Sequence, residues 1–233
     1  MQLIDRVRSS VENVYKLVFR NSNPTPLEVS YIRKNDGKDI LVVPTQTSCN
    51  MGCTFCYLTP LDIRAVNLTG NEIVELVSDS LRFQTPANST LLVSYMGAGE
   101  PLMNVPVMID SALKIRQLGG YDRIRFGVST LIPGPKPFKE FMNAVVENNL
   151  DFKLHWSLHS VRTVSRKSLM PAALDQFEGA RLALEFLEKT GNAVEIHYTL
   201  IDGVNDSDAD VEGIAALIDR RMTVKLLRFA PQK

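Results

Sequence analysis

The sequence predicts an α/β protein with a parallel sheet, in the form of a partial (β/α)6 barrel that a small β-hairpin precedes. From residue 39 onward, apolar strand-like runs alternate with amphipathic helical runs, which is typical of βαβ units. Six such strands occur in this region, two fewer than a closed eight-stranded barrel needs. A doubly wound open sheet is a rival topology that periodicity does not separate from the barrel.

Local patterns predict each element in turn. Residues 13–20 and 27–33 read as the two strands of the hairpin around the turn-rich segment NSNPTP, and strand 39–43 follows the turn NDGK. We therefore divide the chain into a hairpin extension, 1–37, and a barrel core, 38–233. The later strands are predicted at 90–95, 123–129, 151–158, 193–200 and 223–229. Helices are predicted from Asn71 onward and at 105–117, 136–148, 174–190 and 207–219.

Composition and charge narrow the class of protein. The chain has 233 residues, of which 45% are hydrophobic and 22% charged, and this composition is typical of a globular protein. The 26 basic and 26 acidic side chains cancel, which argues against a strongly basic nucleic-acid binder but not against a local basic patch. No apolar run approaches the ~18 residues of a membrane span, and the N-terminus lacks a signal-peptide pattern. We expect a cytoplasmic protein with no membrane partner.

Three predicted strands carry polar residues on one face. These faces contain Arg123, Arg125, Gly127 and Ser129 in the first strand, Lys153, His155, Ser157 and His159 in the second, and Glu195, His197 and Thr199 in the third. Buried parallel strands are normally apolar on both faces. A polar-lined cavity is the simplest interpretation, and solvated strands at a sheet edge are the alternative.

The three cysteines, Cys49, Cys53 and Cys56, lie on one short segment with the spacing C-x3-C-x2-C. An odd number so close together is a poor disulfide framework and predicts a metal site. Thiolates favour zinc or an iron–sulfur cluster. Structural zinc usually has two separated ligand pairs, and no second pair lies nearby. Three thiolates on one loop therefore favour a 4Fe–4S cluster with one open iron, and structural zinc is the alternative.

This segment, with Phe55 directly before the last cysteine, resembles the signature loop of radical S-adenosylmethionine (SAM) enzymes. The resemblance implies a 4Fe–4S cluster on the three cysteines, SAM on the fourth iron, and Phe55 among the cofactor-binding residues. It also implies reductive cleavage of SAM to a 5′-deoxyadenosyl radical, with a one-electron reductant of the flavodoxin or ferredoxin type as a partner. The segment MGAGEPLMN at 96–104 matches the Gly-Glu-Pro segment that holds the SAM amino group in this superfamily.

Further segments resemble one subfamily, the RlmN/Cfr-type RNA adenine methyltransferases. They are MGAGEPLMN at 96–104, GVST at 127–130, WSLHS at 156–160 with Arg166 and LMP at 169–171, DGVNDS at 202–207, and LEVSYI at 27–32. The resemblance implies that SAM contacts Gly99, Glu100, Ser129, Ser157 and His159. It also implies RNA as a substrate and a catalytic Glu28 that handles a proton on the substrate base. A solvated Glu28 without a catalytic role is the alternative.

The sequence also departs from this subfamily. Family members carry a methyl group on a cysteine near the C-terminus and resolve the RNA adduct with a second cysteine, but this sequence has no cysteine outside the cluster segment. Val42 stands at about the resolving position, Ala230 in place of an asparagine, and His197 in place of a glutamate. We expect a short form that lacks the N-terminal RNA-gripping domain and the methyl-carrying cysteine.

Three functions are compatible with these observations. The first is a radical SAM enzyme that methylates a carbon of RNA adenine. The second is a radical SAM enzyme that abstracts hydrogen from a small molecule, nucleotide or peptide without methyl transfer. The third is a non-catalytic homologue that binds a cluster or zinc. The collinear motifs favour the first function, and the cysteine count favours the second.

Overall fold

The computed structural model describes residues 1–83 and 89–230, which form a mixed α/β fold. The strands are β1 (Gln2–Arg8), β2 (Val14–Arg20), β3 (Leu27–Arg33), β4 (Lys38–Val43), β5 (Thr90–Tyr95), β6 (Arg123–Thr130), β7 (Phe152–Ser157), β8 (Val194–Leu200) and β9 (Thr223–Arg228). The helices are α1 (Gly70–Arg82), α2 (Val105–Ile115), α3 (Pro135–Glu147), α4 (Thr163–Leu169), α5 (Gln176–Thr190) and α6 (Asp208–Leu217). Two short 3-10 helices span Thr59–Leu61 and Pro101–Asn104. Within the described ranges, no helix has the length and apolarity that crossing a bilayer requires.

The chain forms two compact units. The first unit comprises Met1–Cys49 and Arg64–Val128, and the second comprises Asn50–Ile63 and Ser129–Lys233. The boundary between them passes through the cysteine segment and through the carboxyl end of β6. The boundary expected from the sequence, between residues 37 and 38, falls inside the first unit and stays a prediction.

The first unit contains a mixed sheet. β1 to β4 are antiparallel neighbours in chain order, and β4, β5 and β6 are parallel. β2 and β3 form the predicted hairpin, with Tyr15 opposite Tyr31. β1 pairs with β2 and extends the hairpin to a three-stranded meander. The sequence did not predict β1, because nearly all of its side chains are exposed and leave no alternation of apolar and polar residues.

Helices α1 and α2 pack together in the first unit, and α1 also contacts β3 and β4. α1 begins with a capping box, in which Thr69 Oγ1 accepts from the Glu72 N–H at 3.2 Å and the Glu72 carboxylate accepts from the Thr69 N–H at 2.8 Å. Its residues Ile73, Leu76 and Val77 are fully buried. The buried stripe at three- and four-residue spacing confirms the predicted helix.

The second unit contains the parallel strands β7, β8 and β9, with Ser157 opposite His197 in the ladder. Helix α3 packs against α5. The ring of Phe141 stacks on that of Phe186 with centroids 5.6 Å apart, and it meets Phe152 edge-on at 5.3 Å. Buried aromatic pairs of this kind contribute a large share of core stabilisation. They hold the helical layer on the strands that carry the polar faces.

The predicted alternation of strands and helices is confirmed in both units, with ends that differ by a residue or two. Helix α4 was not predicted. It is short, and only Arg166 and Leu169 are buried in it, so the sequence shows no amphipathic stripe there. Because one of those two residues is charged, the sequence of this segment is typical of a solvated loop.

A substitution at Gly179 on α5 tests how tightly this helix packs on Trp156. A Cβ added there would lie 2.6 Å from Cζ2 of Trp156, whose ring is fully buried. Because a close-packed interior leaves the indole no room to move, we expect Gly179→Ala to lower the free energy of unfolding by about 1–3 kcal/mol. Alanine's better helix propensity does not offset this loss. Urea unfolding followed by circular dichroism measures the change.

Gly70→Ala on α1 is the matched control. There the added Cβ would meet Oδ2 of Asp110, the tip of a half-exposed side chain that can turn away. We expect this substitution to change the free energy of unfolding by no more than about 0.5 kcal/mol. A loss at Gly179 no larger than that at Gly70 would contradict the tight packing of α5 on Trp156.

Candidate functional site

In the first unit, the segment 96–104 lies directly against the chain that follows β4. The Ala98 carbonyl accepts hydrogen bonds from the N–H groups of Thr45 at 3.0 Å and Gln46 at 3.2 Å. Gly99 has a φ of +104°, and a Cβ on it would lie 2.8 Å from Thr45 Oγ1. Both the backbone conformation and the close contact require glycine here. Gly99 therefore has a packing role within the first unit, in addition to the predicted contact with SAM.

Glu100 is 4% exposed, and its surroundings hold it in place. Its N–H donates to Gln46 Oε1 at 3.0 Å, and its Oε1 accepts from the Leu102 N–H at 3.1 Å, which caps the 3-10 helix. Gln46 in turn donates from Nε2 to Asn67 Oδ1 at 2.8 Å. A carboxylate that is ordered and largely removed from water is a strong partner for an ammonium group.

Two buried hydroxyl groups in the segment after β4, Thr45 Oγ1 and Ser48 Oγ, have no hydrogen-bond partner among the residues that the structure describes. A buried polar group left unpaired costs about 1–3 kcal/mol, so native proteins seldom keep one without a reason such as a bound ion or ligand. Ser48 directly precedes Cys49 in the sequence. The chain therefore provides a desolvated hydroxyl donor next to the first cysteine.

In the second unit, hydrogen bonds fix the backbone around Cys53 and Cys56. The Cys56 N–H donates to the Cys53 carbonyl at 3.1 Å, and Thr59 Oγ1 donates to the same carbonyl at 2.8 Å. The Thr54 N–H donates to the Leu169 carbonyl at 2.9 Å and ties the loop to α4. All three cysteines of the chain are half-buried thiols outside any disulfide. The backbone around Cys53 and Cys56 is thus fixed by hydrogen bonds, and thiols are the side-chain type that a soft metal prefers.

His159 follows β7 and lies beside Phe55, with ring centroids 5.0 Å apart in an edge-to-face contact. Its Nδ1 accepts the Thr199 N–H at 2.9 Å. Burial, followed by the charges of Arg166 and His197, lowers the pKa of His159 to about 3. The imidazole is therefore neutral at physiological pH, and Nε2 carries its proton. Two predicted cofactor-binding residues, one on the cysteine loop and one after β7, are thus brought together.

Asn205 in the DGVNDS segment holds the backbone of His159. Its Nδ2 donates to the carbonyls of His159 at 2.6 Å and Thr199 at 2.7 Å, and its Oδ1 accepts the Ile201 N–H at 2.7 Å. His159 has a φ of 48°, in the left-handed region that residues with a side chain seldom adopt. The Asn205 amide stabilises this conformation. The sequence resemblance pointed to the segment but did not predict this role.

Arg166 on α4 is 3% exposed, and its guanidinium lies over the Trp156 ring at 5.7 Å from the centroid. It donates hydrogen bonds to the carbonyl oxygens of Leu131, Ser157, Leu158 and Leu174. Burial lowers the pKa of Arg166 to about 10, so the group remains charged at neutral pH. These carbonyls belong to the ends of β6 and β7 and to the segment after α4. One side chain thus ties together the strand ends that carry the predicted SAM contacts Ser129 and Ser157, both half-buried.

The polar faces of β7 and β8 meet in a cluster that the predicted site did not include. It consists of Lys153, His155, Glu195 and His197. His155 and His197 are 7% and 5% exposed, so these two faces are not simply solvated sheet edges. The alternation of polar and apolar residues in the sequence placed these four side chains on the polar faces of two predicted strands. Their convergence depends on the register in which His155 lies opposite Glu195, and single-strand patterns do not contain that register.

Glu28, predicted to be catalytic, lies on β3 with its side chain 46% exposed. Its carboxylate forms an ion pair with Lys16 Nζ on β2 at 2.8 Å. Exposed pairs of this kind contribute little to stability, about 0–1 kcal/mol. The carboxylate therefore remains open to solvent and to an incoming ligand.

Arg166→Lys tests the role of the buried guanidinium. A lysine ammonium keeps the charge but places its donors at one point, so it cannot reach four carbonyls in different directions. We expect the variant to lose about 2–4 kcal/mol of unfolding free energy through unpaired buried carbonyls. Chemical denaturation measures this loss.

Arg181→Lys on α5 serves as the control. Arg181 is half-exposed and pairs with Glu178 and Glu185 on the same helix, so we expect a change within about 0.5 kcal/mol. Equal effects of the two substitutions would rule out a special structural role for Arg166.

The chain is similar in sequence to known RNA methyltransferases. No family model matches the chain. The probable dual-specificity RNA methyltransferase RlmN of Symbiobacterium thermophilum is 32% identical over 209 residues, which cover 87% of this chain and 54% of that protein. The ribosomal RNA large subunit methyltransferase Cfr of Shouchella clausii is 28% identical and covers 97% of this chain, which spans 64% of that protein. The chain thus spans less than two-thirds of each of these relatives.

Solved structures show the same relationship. A radical SAM methyltransferase from Sphaerobacter thermophilus superposes with a TM-score of 0.78 at 26% identity, covering 97% of this chain and 66% of that one. A spore photoproduct lyase shares the fold alone, with a TM-score of 0.56 at 14% identity over 81% of this chain and 56% of that one. These matches confirm the predicted fold class. Over most of its own length, the chain is therefore homologous to the radical SAM methyltransferases of the RlmN/Cfr type.

Proposed function

We propose that this chain is the core of a cytoplasmic radical SAM enzyme of the RlmN/Cfr type that methylates a carbon of adenine in RNA. The observation that carries this function is the C-x3-C-x2-C segment in a chain whose homologues are named RNA methyltransferases. The same homologues weigh against hydrogen abstraction without methyl transfer.

The residues present fit a 4Fe–4S cluster. Cys49, Cys53 and Cys56 would hold it, since three thiolates on one segment are the soft ligands that iron–sulfur clusters take. The backbone between Cys53 and Cys56 is closed by hydrogen bonds, which suits a fixed ligand geometry. The unpaired hydroxyl of Ser48 beside Cys49 is a donor of the kind that hydrogen-bonds cluster or ligand sulfur. When bound, the cluster supplies the electron that cleaves SAM to a 5′-deoxyadenosyl radical.

The first unit would recognise the amino-acid end of SAM. Glu100 is a buried carboxylate held by backbone and side-chain hydrogen bonds, and it would pair with the SAM ammonium group. Gly99 would expose backbone next to the ligand, because it has no side chain to block the approach.

The second unit would contribute neutral donors and an apolar surface. The hydroxyls of Ser129 and Ser157 would hydrogen-bond SAM from the carboxyl ends of β6 and β7. The neutral imidazole of His159 would donate from Nε2, since Nδ1 already accepts from the backbone. Phe55, packed edge-on against that ring, would exclude water from the same side.

The substrate and partner assignments follow from the homologues. RNA is the substrate named for the RlmN and Cfr relatives. Glu28 would handle a proton on the adenine, since its carboxylate is partly exposed and forms an exposed ion pair with Lys16. A one-electron reductant of the flavodoxin or ferredoxin type would reduce the cluster.

Cys56→Ser tests the cluster. The protein is purified anaerobically, iron and sulfide are counted, and 5′-deoxyadenosine is measured after addition of SAM and dithionite. We expect about four irons per chain in the wild type and loss of both iron and SAM cleavage in the variant, because a hydroxyl is a poor ligand for a soft metal. Thr54→Ser, which leaves all three thiols in place, should retain both.

Two results would overturn the cluster assignment. One is a wild-type protein that binds zinc in place of iron and sulfide. The other is a Cys56→Ser variant that still contains iron and still forms 5′-deoxyadenosine.

RNA methylation is tested with SAM labelled in its methyl group and supplied with ribosomal and transfer RNA. We expect label in adenine, and a decrease of about 100-fold or more for Glu28→Gln with unchanged 5′-deoxyadenosine, because the amide cannot transfer a proton. Glu12→Gln, an exposed carboxylate before β2, is the control and should methylate normally.

SAM cleavage without label in RNA would rule out methyl transfer and favour radical chemistry on another substrate. Equal label in the Glu28→Gln and wild-type proteins would show that Glu28 has no catalytic role.

A further inference from the structure

We infer that the second unit contains a binding site for one divalent transition-metal ion of borderline softness, such as Zn²⁺, formed by His155 Nδ1, His197 Nε2 and Glu195 Oε1. The site uses none of the cysteines or predicted SAM contacts, so it does not rest on the proposed function. It lies on the polar face of β7 and β8, where His155 pairs with Glu195 and Ser157 pairs with His197.

The three ligand atoms form a compact triangle. His155 Nδ1 lies 3.1 Å from His197 Nε2 and 3.2 Å from Glu195 Oε1, and His197 Nε2 lies 2.9 Å from Glu195 Oε1. Ligands bonded to zinc at its usual distances of about 2.0–2.2 Å are separated by ~3.0–3.5 Å in tetrahedral or octahedral geometry. Only small shifts would therefore place all three atoms on one ion.

The same three ligand types also occur in known metal sites that leave a coordination position open for water or substrate. Two imidazoles and one carboxylate are the protein ligands of catalytic zinc in several hydrolases and of non-haem iron in oxygenases. Among the described residues, His155, Glu195 and His197 form the group of three potential metal ligands whose ligand atoms all lie within 4.8 Å of one another. Both histidines are almost completely buried, so their ring nitrogens are not satisfied by bulk water.

The protonation states suit a cation. Burial and the neighbouring His197 lower the pKa of His155 to about 4, and burial lowers the pKa of His197 as well. Burial raises the pKa of Glu195, but hydrogen bonds from Lys153 and His197 outweigh it and lower the pKa to about 2. At neutral pH the site thus offers two neutral imidazoles and one carboxylate, the forms that bind a metal without first releasing a proton from a charged group.

Lys153 orients the carboxylate. Its Nζ donates to Glu195 Oε2 at 2.6 Å, which leaves Oε1 turned toward the two histidines. Metal-binding carboxylates commonly have an outer hydrogen-bond partner of this kind. The ligands lie on two neighbouring parallel strands, where the ladder limits their movement.

Two positive charges oppose the ion. Lys153 is one, and Lys225 on β9, opposite His197 in the ladder, is the other. Because both repel a dication, we expect a moderate affinity that rises when a charge is removed. Lys225 pairs with His197 in the ladder, so removing its charge should strengthen metal binding at this site. A metal bound by the cysteine thiolates should not show this increase.

Co²⁺ is the probe, since its visible absorption reports the geometry and its near-ultraviolet bands report thiolate ligands. The full chain carrying Cys49→Ser, Cys53→Ser and Cys56→Ser is treated with a chelator and titrated with Co²⁺ and with Zn²⁺. We expect one ion per chain without thiolate bands. His155→Gln and His197→Gln should each weaken binding by about 100-fold or more, and Lys225→Met should strengthen it by about threefold or more.

Glu188→Gln is the control, because it removes an exposed carboxylate that pairs with Arg221 and is not one of the three ligands, and it should leave Co²⁺ binding unchanged. If the triple-serine chain folds poorly, zinc is counted in the wild-type protein with its thiols alkylated. Circular dichroism of each variant without metal checks folding. Absence of Co²⁺ uptake, or uptake that His155→Gln and His197→Gln leave unchanged, would overturn the site and leave the cluster as a hydrogen-bond network.

Discussion

The buried guanidinium of Arg166 is the interaction on which the arrangement of the second unit depends. Parallel strands end with carbonyl groups that have no partner in the ladder, and loops alone seldom satisfy them when they are buried. From one planar group, Arg166 donates to three such carbonyls at the ends of β6 and β7 and to the Leu174 carbonyl after α4. The same charge helps to keep His159 neutral, because a second positive charge nearby is unfavourable. One residue thus determines both where the strand ends lie and what form the adjacent imidazole takes.

A second constraint is the unusual backbone at the carboxyl ends of successive strands. Gly99 after β5, Ile132 after β6 and His159 after β7 all have positive φ. Such conformations cost about 1–3 kcal/mol for a residue with a side chain, and they persist where the surroundings over-determine them. Ile132 is held by its N–H on Thr130 Oγ1 at 2.8 Å, and His159 by the Asn205 amide. In the second unit, hydrogen bonds thus stabilise the backbone that positive φ makes costly at Ile132 and His159.

Sequence reasoning predicts chemistry where a residue type is itself the chemical signal, and the roles of these residues stay predictions. Three cysteines in C-x3-C-x2-C and the segment around Glu100 could be interpreted without a structure, because thiolates and a glycine-flanked carboxylate have few alternative uses. The resemblance included Arg166 and Asn205, but it did not predict that both side chains bind backbone carbonyls. Nothing in the composition of α4 or of the DGVNDS segment distinguishes these two residues from solvated ones.

Apart from β1 and α4, the sequence by itself determined the order of strands and helices, the polar faces of β7 and β8, and the candidate ligands, since these follow from local periodicity and side-chain chemistry. Only the tertiary structure decided which polar residues meet. His155 on β7 comes within hydrogen-bond distance of His197 and Glu195 on β8 because two strands about forty residues apart pair in one register. A shift of one residue would turn these side chains to the opposite face of the strand. That register is set by burial of the apolar faces, a property of the packed chain as a whole.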